Sequence, residues 1–124
     1  MKIYFDGGMR PLPAGMEIAV VAGGRAHVTR QLGAGTSMEA EWLALIAAAR
    51  LALAQAYRES ILLGDCLPVI RQAGGRARTP PALRHHLLTF QALVPPGSAL
   101  RLRHIKRTQN LAGIALEKGC FTAG

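Results

Sequence analysis

One α/β domain, a mixed five-stranded sheet with helices on its faces, is what these 124 residues predict, on three observations. Short β-branched or aromatic runs come first, separated by glycine-rich turns, as an antiparallel meander requires. Ala- and Leu-rich runs then alternate with short apolar strands, and a strand–helix–strand order demands parallel pairing. No repeat, low-complexity tract or linker divides the chain, and 13.2 kDa is the size of one domain, residues 1–124.

Lys2 to Phe5 reads as the first strand, expected to stop at Gly7-Gly8, with Pro11, Pro13 and Gly15 in the loop that follows. Glu17 to Val21 and Ala26 to Arg30 form a hairpin about Gly23-Gly24. Gly33 and Gly35 end the meander. Thr36 then opens a helix, because Thr36-x-x-Glu39 is a capping-box pattern ahead of an apolar run that reaches about Tyr57. Ser60 to Leu63 is a short apolar strand of the buried, parallel sort. Pro68 suits the first turn of a short helix to about Ala73. A basic loop with Arg76 and Arg78 leads to a helix from Pro81 to about Leu93, broken by Pro95-Pro96-Gly97. Leu100 to Ile105 is a half-exposed strand, and Thr108 to Lys118 is the closing helix.

Half of the residues are apolar, which supplies a core and excludes the disordered class. The longest apolar run, Trp42 to Ala54, is interrupted by Arg50, so no membrane span is expected. The opening Met-Lys-Ile-Tyr-Phe-Asp lacks the apolar middle of a signal peptide, so a cytoplasmic location is expected. Cys66 and Cys120 match no zinc spacing and read as idle thiols, a single bridge being the alternative. Fifteen Lys and Arg against seven acids give a net charge of +8, which points to a polyanion, nucleic acid first. Arg-rich composition without a partner is the bland alternative.

The acids carry the chemistry. Asp6 and Asp65 are the only aspartates, and both fall at strand ends in apolar surroundings. An acid there costs free energy unless it is paired, caps a turn or binds a cation. Glu39 has a ready role as the cap, whereas Glu41 lies about 200° further round the helix, on the opposite face. Asp6, Glu41 and Asp65 would then converge from two strands and a helix. Hard oxygen ligands in such a cluster suit Mg²⁺ and phosphodiester hydrolysis by two metals.

Four segments in order resemble the type 1 ribonuclease H family over nearly the whole chain. Asp6-Gly7-Gly8 is similar to its first-strand motif. Thr36 to Ile46, with Ala40-Glu41-Trp42-Leu43, resembles its helix segment. Gly64-Asp65-Cys66 is similar to its strand-to-helix segment. His104-Ile105-Lys106-Arg107-Thr108-Gln109-Asn110 resembles its histidine loop before the last helix. The resemblance implies endonucleolytic cleavage of the RNA strand of RNA–DNA hybrids with Mg²⁺ or Mn²⁺, and no obligate protein partner or membrane. It further implies Asp6, Glu41 and Asp65 as metal ligands, Asp6 bridging two ions, with His104 assisting proton transfer or product release. A surface histidine at a strand end is the alternative for His104. Gly7, Gly8, Thr36 and Ser37 would lie near the RNA strand, and Arg107 and Asn110 would also bind substrate. Arg76 and Arg78 would hold phosphates of the DNA strand or, alternatively, be solvated.

The family's fourth carboxylate stands four residues after the Asn, and here that position is Ile114. Glu117, nearly one turn on, is the candidate to compensate, an exposed helix-end Glu being the alternative. Ser37 and Met38 replace two Asn residues of the family pattern, and Cys66 replaces its Ser. Besides an active hybrid ribonuclease, the sequence therefore admits a nucleic-acid-binding module that has lost catalysis, or a related nuclease acting on DNA.

Overall fold

The computed structural model describes residues 1–55, 59–94 and 97–122, with side chains as far as residue 117. Its strands are β1 (Lys2–Met9), β2 (Met16–Ala22), β3 (Arg25–Thr29), β4 (Ile61–Gly64) and β5 (Arg101–His104). Its helices are α1 (Ser37–Ala54), α2 (Leu67–Ala73), α3 (Arg84–Leu93) and α4 (Leu111–Thr122). A 3₁₀ turn, Pro81–Leu83, leads into α3, and another, Arg107–Gln109, precedes α4. The expected helix end at Tyr57, the Pro95-Pro96 break and the Cys120 side chain lie outside the description.

The sheet runs β3-β2-β1-β4-β5. β1 pairs antiparallel with β2, β2 with β3, and β1 and β4 pair in parallel, as do β4 and β5. This is the mixed sheet read from the alternation of elements. Tyr4 stands opposite Leu63 in the parallel pair, so two residues further on Asp6 comes level with Asp65. The carboxyl ends of parallel strands, where the sheet reverses its connection order, are the usual crevice for ligands in open α/β sheets.

The pleat sorts the side chains of β1 between two layers. Ile3 and Phe5 face α1 in a core with Trp42, Leu45, Leu62 and Val69, all fully buried. Tyr4 packs on the other face with Ala112 and Leu116 of α4. Each large side chain so buried contributes about 1.5–3 kcal/mol. The indole N–H of Trp42 donates to Gln72 Oε1 at 3.0 Å, so the largest core residue leaves no orphaned donor.

Two expectations need correction. β1 does not stop at Gly7-Gly8 but pairs with β2 as far as Met9. Gly7 is there for another reason: a Cβ would stand 2.3 Å from the backbone of Ala40, so only glycine lets α1 lie this close to the strand. Asn110 is not inside the last helix either. Its backbone is extended, and its Oδ1 accepts from the Ala112 N–H at 3.1 Å, satisfying one of the free amides at the start of α4. Elsewhere the elements fall within a few residues of their expected bounds, and Thr36 caps α1 by accepting from the Glu39 N–H at 3.0 Å.

Candidate active site

Three elements deliver three acids to one end of the sheet. Asp6 comes from β1, Asp65 follows β4, and Glu41 sits one turn into α1, brought against β1 by the close approach at Gly7. Carboxylate oxygens of the three lie within 4.8 Å of one another. The Gly7 N–H donates to Glu41 Oε1 at 2.5 Å, so the backbone that admits the helix also orients its acid. Only 9 % of Glu41 is exposed. On the far side Gly113 of α4 faces Asp6: a Cβ there would stand 3.2 Å from its Oδ2, so a larger residue would crowd the carboxylate.

Burial and mutual repulsion keep these acids from ionising freely. Desolvation first, then the charge of Asp65, pushes Asp6 up to about 6. Desolvation and the charge of Asp6 push Glu41 up to about 8, against the opposing Gly7 hydrogen bond. Arg107 pulls Asp6 the other way without offsetting the rest. The donor set is all carboxylate oxygen, which suits a hard dication, and such an ion would relieve the repulsion that raises both groups. The residues present therefore fit a divalent metal.

Asn110 is a post beneath the acids. It is fully buried, and its amide donates to the Phe5 carbonyl at 2.9 Å and to Asp65 Oδ2 at 3.3 Å. With Oδ1 accepting from Ala112 and the amide donating twice within the protein, Asn110 positions Asp65.

The acids floor an open cavity of about 960 Å³. Of the expected site residues, Gly7, Gly8, Ser37, His104 and Arg107 line it with them. His104 is exposed at the rim, its Nε2 3.2 Å from the Asp65 carbonyl. A carbonyl only accepts, so Nε2 carries the proton and a neutral ring presents Nδ1 as acceptor. Thr36 is committed as the helix cap. Arg76 belongs to a neighbouring groove of about 800 Å³ with Arg71, Arg101 and Arg103, and this groove shares Leu67 and His104 with the acidic cavity. Arg78 is exposed and lines neither. Ile114 and Glu117 both line the acidic cavity, yet among the described residues Glu117 does not join the three-acid cluster.

Other neighbours went unread in the sequence. Glu17, 3 % exposed on β2, is clamped by Arg10 at 3.0 Å and Arg30 at 2.6 Å, and both arginines also donate to the Leu116 carbonyl. An acid inside the apolar run Met-Glu-Ile-Ala-Val was the available signal, since burial there demands a cation. Glu39 does not close the capping box with its side chain; its Oε2 lies 3.1 Å from His86 Nε2. Cys66 is free, and burial first of all raises its thiol to about 11, so it stays protonated and unreactive, as expected of an idle thiol.

The order of the sheet, the crossing of α1 over β1 and the helix on the opposite face define an α/β protein with the ribonuclease H-like fold. The chain belongs to the reverse transcriptase-like family, whose model matches residues 14–120. It is similar to the RNase H1 of the halophilic archaeon Halobacterium salinarum, with 27 % identity over 93 % of this chain and 92 % of that one and a TM-score of 0.76. It is also similar to LC11 RNase H1, isolated from compost by a metagenomic approach, with 27 % identity, 96 % of each chain and a TM-score of 0.70. That protein has also been solved in complex with an RNA/DNA hybrid. The N-terminal RNase H domain of a Mycobacterium tuberculosis protein shares the fold at 24 % identity, over 99 % of this chain and 97 % of that one, with a TM-score of 0.73. No curated protein matches the chain. Among the described residues no helix is long and apolar enough to cross a membrane.

Proposed function

We propose that the chain is a metal-dependent endoribonuclease that hydrolyses the RNA strand of RNA–DNA hybrids. The observation that carries this reading is the meeting of Asp6, Glu41 and Asp65 within 4.8 Å on the floor of an open cavity. The similarity to RNase H1 proteins, one of them solved with a hybrid, supports the substrate class. The net charge of +8 supports a polyanion, with binding that weakens as salt rises.

Asp6, Glu41 and Asp65 would hold Mg²⁺ or Mn²⁺. When bound, a pair of such ions supplies an activated water and support for the leaving oxygen. The protein's own groups do the rest. Asn110 and the Gly7 amide fix the carboxylates of Asp65 and Glu41 before substrate arrives. Arg107 brings positive charge to the cavity wall, where a scissile phosphate would lie. His104 presents Nδ1 at the rim, placed to take a proton from water or to help product leave. Gly8 and Ser37 line the side where an RNA strand would run, and Arg76 with Arg71 extends a basic path past His104 for the phosphates of the other strand. Hybrids would be selected by groove shape and 2′-hydroxyl contacts, so little base preference is expected.

Incubation with labelled RNA–DNA hybrid and Mg²⁺ or Mn²⁺ is the test. Endonucleolytic RNA fragments, with DNA duplex uncut, support the proposal; hybrid left intact at every metal concentration refutes it. Ile114 in place of a fourth carboxylate favours one other reading, a hybrid-binding module without turnover. Salt-sensitive hybrid binding without cleavage would identify that module, and cleavage of DNA alone would identify a nuclease of different substrate.

A further inference from the structure

A second group of metal-competent side chains lies away from the acidic cavity, where α1 meets α3. Glu39 in the first turn of α1 and the neighbours His85 and His86 in the first turn of α3 each offer a ligand atom, all within 4.8 Å of one another. None of the three lines the acidic cavity.

Three features suggest more than a chance contact. Successive helix residues point about 100° apart and normally diverge. Here the two imidazoles come together, ring centroids 3.9 Å apart and tilted by 39°. Glu39, though placed to close a capping box, turns its carboxylate to His86 instead. Gly35 leaves space here, since a Cβ would stand 2.3 Å from Met16 Sδ and 2.8 Å from Glu39 Oε1. His86 is also buried, 7 % exposed, so its ring is held in place by packing.

We infer that Glu39, His85 and His86 form a binding site for a transition-metal dication of the zinc class. Two imidazoles and one carboxylate match a tetrahedral zinc shell with water in the fourth position. Ligand atoms about 2.0–2.1 Å from such an ion stand about 3.3 Å from each other, close to the 3.1 Å between Glu39 Oε2 and His86 Nε2. His85, exposed at the surface, closes the shell by a rotamer adjustment. Imidazole ligands separate this site chemically from the all-carboxylate cluster, since Mg²⁺ prefers oxygen and Zn²⁺ accepts nitrogen. An ion here ties the start of α1, the helix that carries Glu41 two residues later, to α3. The inference stands independently of the nuclease reading.

The test is a calorimetric titration of the untagged full chain with Zn²⁺, in an Asp65→Asn background that weakens the acidic cluster. One equivalent should bind, and adding His85→Ala should weaken it by about tenfold or more, since even loss of an outer-shell partner costs about 10–100-fold. Because His85 is exposed, this substitution leaves the core untouched. In parallel, Zn²⁺ should shift the ring-nitrogen resonances of both His85 and His86. Equal affinity with and without His85, or shifts confined to other histidines, would reduce the trio to an ion pair beside a stacked ring and overturn the inference.

Discussion

Two sets of buried or half-buried acids border the same cavity and are neutralised in opposite ways. Glu17 is answered inside the protein by Arg10 and Arg30, whose guanidinium groups lie 3.0 and 2.6 Å from its oxygens. Asp6, Glu41 and Asp65 face mainly each other, and the charge of Arg107 does not restore an ordinary carboxylate to Asp6. A buried acid with covalently tethered cations is part of the architecture and gains nothing from a dissolved ion. A half-buried cluster of acids whose repulsion its one cationic neighbour does not offset is unfavourable until a further cation joins it. The contrast separates Glu17, bound into the scaffold, from three acids whose geometry fits a divalent ion.

The largest expected effect comes from cutting into the three acids. Asp65→Asn should lower hybrid cleavage by at least about 100-fold, beyond what loss of an outer-shell partner costs, while hybrid binding persists. Multiple-turnover assays with a parallel binding measurement check this, and unchanged turnover would remove the distinction between the two sets.

Second comes pH. Asp6 and Glu41 are raised in the folded protein to about 6 and about 8, so the folded state holds their protons more tightly than the unfolded chain. Their contribution is fully present below the unfolded values near pH 4 and is lost as pH rises through the folded ones. Metal-free protein should therefore lose on the order of a few kcal/mol between about pH 4 and pH 8 from these groups. Saturating Mg²⁺ should flatten that slope by binding the ionised form. Denaturant midpoints across the range, with Asp6→Asn as the control that also flattens it, provide the measurement.

Glu17→Gln should act on stability instead. It removes the charge that neutralises two partly buried guanidinium groups while leaving their bonds to the Leu116 carbonyl, and with Arg10 and Arg30 34 % and 29 % exposed the cost is about 1–2 kcal/mol rather than that of a fully buried pair. Chemical unfolding should report the loss, with Mg²⁺ affinity little changed.

The contrast also explains what could be read ahead of the structure. The mixed sheet followed from alternating runs and glycine turns, and α1 from Thr36 and Glu39, because these signals act between near neighbours. The three acids stood out because a basic chain with only two aspartates places both at apolar strand ends. Gly7 misled for the opposite reason: its local meaning is a strand stop, but its role is set by Ala40, far along the chain. That the Asn110 amide reaches back to Phe5 and Asp65 is also beyond what helix numbering can reveal. The arginine clamp on Glu17 and the pairing of Glu39 with His86 likewise depend on which distant segments meet.

The smallest effect concerns the fourth position. Ile114→Asp adds an acid to the cavity wall on the helix that carries Gly113 past Asp6, and should tighten Mg²⁺ binding severalfold. Calorimetry would show it, and unchanged affinity would mean that α4 holds this position too far from the cluster.

The most direct measurement is anomalous diffraction from a crystal soaked in Mn²⁺. A manganese peak bounded by oxygens of Asp6, Glu41 and Asp65, and lost in Asp6→Asn, is what convergent acids not offset by Arg107 predict. Manganese elsewhere, with those three carboxylates bare at saturating metal, would contradict it.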